Sequence, residues 1–303
     1  MKRIHLLRVF PFLSPIFKLI FPKILDFTLF PQIKGNVDLI MEERDIYLLY
    51  AMNARAANRW NLKIIDVLER KLLSNVKLIR IGSLNDGGYL VPELFTKDQI
   101  WFCIGLGYNI EFENDLESRK NLVLSFDHTI ENRPKKLNKN VKYFAAGWGS
   151  TKESRDKQEL HTLNSLFEIS GQYPETSALW CLKFDIEGNE WKCLEQISVM
   201  KNKPAVIVCE LHGALWGSSQ YYKENIPLDL AKFLKDYLIC SLSGNNFSSF
   251  FKNNKYGLYD VFELTLIRKD LVRKLSYTNN RTHALLSKNN KLIEQMPIGR
   301  LKD

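Results

Sequence analysis

The chain has 303 residues, 45% of them hydrophobic, 12% aromatic and 25% charged, a composition that excludes a disordered or low-complexity protein and allows a substantial core. Its 43 lysines and arginines against 34 acids leave a formal charge of +9, which favours an anionic neighbour without choosing among lipid headgroups, nucleic acid and an acidic substrate. Five scattered cysteines with no CxxC pair argue against a disulfide framework or a zinc site, and for reduced core thiols in a cytoplasmic protein.

Residues 1–33 are rich in Phe, Leu and Ile and carry Lys2, Arg3, Arg8, Lys18 and Lys23 against Asp26. Pro11, Pro15, Pro22 and Pro31 break a helix there, and the interspersed charges rule out a span of about 20 uncharged residues. Two readings stand: a helical extension packed on the domain, or a segment lying on the inner face of a membrane. From Val37 to about Ser74 the apolar residues recur at helical spacing, through Leu39, Ile40, Leu48, Leu49, Met52, Ile64, Ile65 and Leu68. RIGSLNDGGYLVP (80–92) then brings Asn, Asp and two glycines, the chemistry of a short hairpin or loop edge.

Beyond it, apolar runs alternate with helix-length stretches: 100–107, 121–128, 141–149, 179–188 and 204–213, followed by 237–244 and 259–269. Short doubly apolar strands separated by helices predict an α/β fold of Rossmann-like, doubly wound type, with seven strands in a mostly parallel sheet. The last two runs lack a crossover helix between them, which predicts an antiparallel last strand. In such sheets ligands bind outside the carboxyl ends of the strands.

Those ends carry the chemistry-bearing residues. The first run closes on Gly105 and Gly107, a GxG that lets a backbone approach a nucleotide-like cofactor. Its third glycine is missing, and Glu111 and Glu113 in the following helix turn would repel a pyrophosphate, so a dinucleotide is disfavoured. Asp127, twenty residues on, ends the second run where a carboxylate accepts from ribose hydroxyls; His128 beside it either flanks an adenine or lies on the surface. A cofactor with a ribose but no required phosphate fits, and S-adenosylmethionine (SAM) is one. LKFDIEGNEW (182–191) brings Asp185, Glu187 and Glu190 to the fourth strand end, where acids either cap a helix or line a pocket, with Glu190 the better cap. Glu210 and His212 end the fifth run. They form either a hydrogen-bonded pair or, with Asp185, a catalytic group in which His212 is the general base and Glu210 or Asp185 orients it. Asp185, Glu210 and His212, near Asn245 and Asn246, are also an alternative set of ligands for a hard divalent cation. Asp86, Gly88 and Tyr89 either add to the cofactor pocket or form a plain turn. Trp148, Trp191 and Trp216 lie near strand ends, where aromatic faces stack on ligands or pack.

Taken together, the GxG, Asp127, AAGWG (145–149), TLNSLFE (162–168), LKFDIEGNEW and VIVCELHG (206–213) resemble the FkbM-type family of SAM-dependent methyltransferases. NDGGYLVP, SGNNFSSF and FELTLIRKDL are similar to segments of a bacterial branch of it. The resemblance covers about residues 78–270, leaving 1–77 as a basic, apolar and helical extension and 271–303 as a basic tail. It implies a SAM-binding fold and O-methylation of a sugar or glycoconjugate precursor in polysaccharide biosynthesis, with SAM held by Gly105, Gly107, Asp127, His128, Asp86, Gly88, Tyr89 and Glu187. The chain departs from the family at Cys103 and Asn109, where an acid and a third glycine are usual, and at Ser241 and Ser243, where a histidine is frequent. The competing expectation is a non-catalytic protein of the same fold that binds a membrane or partner through its basic termini. Nucleic acid is disfavoured, because the basic residues are dispersed and no RNA-binding module is present.

Overall fold

A computed structural model describes residues 43–69, 72–150, 153–155, 158–174, 179–215, 226–253, 255–278 and 298–300. The expectations for residues 1–33, for Trp216 and for most of the basic tail lie outside them. Two compact units divide the chain, residues 1–56 and 57–303, and every strand among the described residues lies in the second. Among the described residues no helix is long and apolar enough to cross a membrane.

Helix α1 spans Glu43–Leu68, free of glycine and proline as its periodicity predicts. Its last turns bury Trp60, Ile64, Ile65 and Leu68, one face at helical spacing. These side chains share a core with the main sheet, so the compact second unit begins well before the expected boundary at residue 78. After β1 (Leu72–Leu73) comes a hairpin of β2 (Leu78–Gly82) and β3 (Gly88–Pro92). The expected hairpin forms, but it is no mere loop edge: every residue of β3 is buried, because the hairpin lies over the sheet and Thr265 Oγ1 donates to Leu90 O at 2.6 Å.

The expected alternation then follows: β4 (Ile100–Ile104), α2 (Glu111–Ser118), β5 (Leu122–Phe126) and β6 (Lys142–Phe144). Here the third predicted run divides. β6 joins the main sheet, while β7 (Gly147–Trp148) joins β8 (Glu153–Arg155) and β9 (Gln158–His161) in a separate three-stranded sheet. Gly147 permits the turn away, since a Cβ there would lie 2.5 Å from His128 Nδ1. Helix α3 (Leu163–Ser170) starts at Thr162, whose hydroxyl accepts from Ser165 N–H. β10 (Trp180–Phe184), α4 (Glu190–Val199), β11 (Val206–Leu211), α5 (Ile226–Phe233) and β12 (Tyr237–Gly244) follow. β13 (Phe250–Lys252), β14 (Tyr256–Tyr259), β15 (Phe262–Arg268), β16 (Tyr277–Thr278) and β17 (Gly299–Arg300) complete the chain.

The main sheet has seven strands in the order β12-β15-β11-β10-β4-β5-β6. Strands β11, β10, β4, β5 and β6 pair in parallel. The last strand, β15, is antiparallel as expected, and it slots between β11 and β12 rather than adding at an edge. Alternate residues face opposite sides. Phe102, Leu124, Leu182 and Ile207 pack with α3, α4 and α5, whereas Trp101, Cys103, Val123 and Val208 pack with Phe112 and Leu116 of α2 and with the β2–β3 hairpin. Burying each such aliphatic or aromatic side chain contributes roughly 1.5–3 kcal/mol, and both faces are covered, as a parallel sheet requires. All five cysteines are free and buried; burial pushes the thiol of Cys240 up to about 12 and those of Cys103 and Cys209 well above their ordinary range.

Candidate active site

Parallel strands end on the same edge, so the loops after β4, β5, β10 and β11 meet there. After β4, Gly105 takes φ +83°, and a Cβ on it would lie 1.6 Å from Asp185 O. Only glycine fits this crossing of two loops. Its N–H donates to Phe126 O at 2.9 Å, and its carbonyl accepts from Lys183 Nζ. Gly107 has φ +58° with open space around it.

The GxG loop is held by Asp127. Asp127 Oδ2 accepts from the N–H groups of Leu106 at 2.9 Å and Gly107 at 2.8 Å. Its Oδ1 accepts from Thr129 N–H at 2.8 Å and Thr129 Oγ1 at 2.6 Å. Burial alone would raise this carboxyl's pKa, but the bonds from Thr129, Gly107 and Leu106 prevail and hold it below the ordinary value. The carboxylate expected to meet a ribose therefore has its four acceptor sites engaged within the loop. The expected neighbour His128 packs against Gly147.

Beneath the same loop lies an ion pair that a reading of the strand ends misses. Lys183, on β10, is buried and faces the buried Glu113 of α2 at 3.8 Å. Burial would lower the lysine's pKa, yet Glu113 and Asp185 keep it above its ordinary value and so cationic. Glu113 thus turns inward instead of facing a ligand at the helix N-terminus as its position suggested. The signal in the sequence was a lysine inside an otherwise apolar strand, which is buried only when paired.

At the ends of β10 and β11 the expected residues do converge. His212 Nε2 lies 3.9 Å from Asp185 Oδ1 and 3.4 Å from Glu187 Oε2. Its Nδ1 lies 3.1 Å from Oε1 of Glu190, a fully buried carboxylate. That residue also accepts from Ile186 N–H at 2.9 Å and from Gly188 N–H at 3.0 Å. Glu190 therefore braces the loop before α4 instead of capping the helix, whose start carries no side-chain cap bond, and it is in addition the partner that orients His212. The orienting role expected of Glu210 or Asp185 falls to it. Trp191 Nε1 donates to His212 O, and both Trp191 and Trp148 are buried packing residues, not stacking platforms. Glu187 has φ +55°, a left-handed conformation costing about 1 kcal/mol or more for a non-glycine residue, and its side chain is 86% exposed.

Glu210 is buried, and its Oε1 accepts from Asn245 Nδ2 at 2.6 Å. On β15, Glu263 is its register partner, and Ser243 Oγ donates to Glu263 Oε2 at 2.8 Å. Burial first, then the charges of Asp185 and Glu263, push the Glu210 carboxyl well above its ordinary range. Tyr89 hydroxyl lies 3.4 Å from Asp185 Oδ2, which brings the hairpin into the site as expected. Asp86 contributes its backbone, with its carbonyl accepting from Asn109 Nδ2 at 2.7 Å. Gly88 has a structural task, since a Cβ there would lie 1.9 Å from Ser83 O.

Asp185 and His212 in this cluster differ from Asp127 in kind. Asp185 Oδ1 is buried with no hydrogen-bond partner, and burial raises the pKa of that carboxyl above its ordinary value. Burial would lower His212, but its hydrogen bond to Glu190 and the charges of Glu190, Asp185 and Glu210 push it up to about 10. At neutral pH the ring is then an imidazolium with no free lone pair. The expectation that His212 is the general base is corrected for the unliganded protein: the surrounding carboxylates keep its proton on.

A cleft of about 450 Å³ lined by Ser150, Thr162, Gln196 and Met200 contains none of these acids. No protein-family model matches the chain, and no curated protein matches it.

Proposed function

We propose that the chain is a SAM-dependent O-methyltransferase acting on a hydroxyl of a sugar or glycoconjugate precursor. One observation carries the reading. A GxG loop and an acid-lined cluster occupy adjacent strand ends of a seven-stranded, mostly parallel sheet whose last strand is antiparallel. That is the sheet and the ligand-binding edge the FkbM-type resemblance implies.

In this reading the GxG backbone cradles the donor, and Asp127 shapes the loop. A ribose diol reaches Asp127 by replacing the Thr129 bonds or sharing with them. Tyr89, Asp185, Glu187 and Glu210 border the acceptor side, where an anionic wall suits a sulfonium donor. Methyl transfer breaks the sulfonium S–C bond as the acceptor oxygen forms its O–C bond. The thioether leaves neutral, and the one hydroxyl proton passes to the carboxylate of either Asp185 or Glu210, whose raised pKa values improve them as acceptors. Alignment of donor and acceptor supplies most of the rate.

Calorimetric titration with SAM and with S-adenosylhomocysteine tests the donor. Binding of both at one site is expected, and absence of binding up to about 1 mM overturns the reading. Labelled SAM incubated with fractionated glycans and nucleotide sugars then identifies the acceptor.

A further inference from the structure

Three observations converge on one cluster. Glu190 is fully buried and hydrogen-bonded to one nitrogen of His212. Asp185 Oδ1 is buried, has no hydrogen-bond partner and faces the other nitrogen at 3.9 Å. One potential ligand atom from each of Asp185, Glu190 and His212 lies within 4.8 Å of the others.

We propose that Asp185, Glu190 and His212 form a binding site for one divalent first-row metal cation. The donor set is two carboxylates and an imidazole that gives up its proton to solvent as the ion binds, a mixture suited to ions of the Mn²⁺ and Zn²⁺ type. Its supports are already in place. Backbone N–H groups of Ile186 and Gly188 hold Glu190, Tyr89 hydroxyl touches the far oxygen of Asp185, and Trp191 anchors the His212 carbonyl. Such second contacts orient ligands at metal sites. Local charge agrees: Asp185, Glu187, Glu190, Glu210 and Asp86 act on one another or on His212 here, and the nearby Lys183 is committed to Glu113 and Gly105. Glu187, 3.4 Å from His212 Nε2 and exposed, leaves the approach open to solvent.

The ligand set differs from the one read from sequence by exchanging Glu210 for Glu190. Glu210 is bonded to Asn245 and does not belong to the converging group. The use of the ion, to hold a hydroxylated acceptor, rests on the methyltransferase reading; the site itself does not.

Mn²⁺ titrated into the full-length chain without SAM, and followed by electron paramagnetic resonance, tests the site. One tightly bound ion per chain is expected, with a loss of tenfold or more in affinity in Asp185→Asn and His212→Gln and about tenfold in Glu190→Gln. Glu195→Gln, an equal charge change on the exposed side of α4, should leave affinity unchanged. No binding below about 1 mM overturns the proposal, as does binding that survives in both Asp185→Asn and His212→Gln. Circular dichroism confirms that each variant is folded. Should both fail to fold, the Mn²⁺-induced rise in melting temperature of the wild-type chain decides, and no rise overturns the proposal. SAM titration of the same preparation is a separate measurement, so failure of the donor reading and failure of the metal site are distinguishable.

Discussion

Asp127 and Asp185 are the same residue type, each one position past the end of a parallel strand, on the same edge of one sheet, yet they are opposites. Asp127 accepts four hydrogen bonds and is held below its ordinary pKa. Asp185 has one oxygen buried without a partner and is raised above it. A carboxylate with its acceptor sites filled stabilises the fold; one left unfilled is destabilising until a ligand, proton or ion arrives. Position in the topology marks both as site residues, and only the count of donors separates brace from chemistry.

The widest break in this contrast removes the cation that serves both ends. Lys183→Met leaves Glu113 buried without its counter-charge, and should cost about 3–5 kcal/mol in urea unfolding; adding Glu113→Leu should restore most of it. Gly105→Ala, which drives a Cβ into the Asp185 carbonyl, should cost about 3 kcal/mol and weaken ligand binding at both ends. Asp127→Asn exchanges two acceptor sites for donors facing N–H groups, with an expected loss of about 2 kcal/mol at pH 7. Its sign with pH is fixed by the lowered pKa. The stabilisation from Asp127 is fully present above the unfolded-state value of about 3.9 and is lost as pH falls through the lower folded-state value. Parallel melts from pH 7 to pH 2 should therefore bring mutant and wild type together at the acid end. Asp185→Asn should be nearly neutral for stability, within about 0.5 kcal/mol, or stabilising, while ion binding falls tenfold or more. A large stability loss in this last variant would erase the distinction between the two aspartates.

Much of this arrangement was legible in the sequence. The strands that end at 104, 126, 184 and 211 lie inside the apolar runs 100–107, 121–128, 179–188 and 204–213, each a few residues short of the run's end, and the lack of a crossover helix before the last strand made its antiparallel direction readable. What the sequence hid was of two kinds. The insertion of β15 between β11 and β12 depends on pairing partners far apart in the chain, and the division of run 141–149 depends on how closely His128 approaches Gly147. Neither is written in local periodicity. At the site, Asp185, Glu187, Glu210 and His212 were found because acids and a histidine cluster at strand ends. Glu190 was read as the better cap because spacing shows an acid beside a helix start; its bonds to the N–H groups of the preceding loop and to His212 after β11 depend on contacts that spacing does not reveal. The protonation of His212 was likewise hidden, because it depends on how many carboxylates surround the ring.

The five buried thiols have a use of their own. Cys103, Cys181 and Cys209 lie on the three central strands β4, β10 and β11, Cys193 lies on α4 and Cys240 on the outer strand β12. A buried thiol with a raised pKa does not react with a water-soluble disulfide reagent until its segment opens. The chain thus carries a built-in clock for local and global opening. Cys240 should be labelled first, as the outer strand frays, and the three central cysteines together, at the rate of whole-domain unfolding.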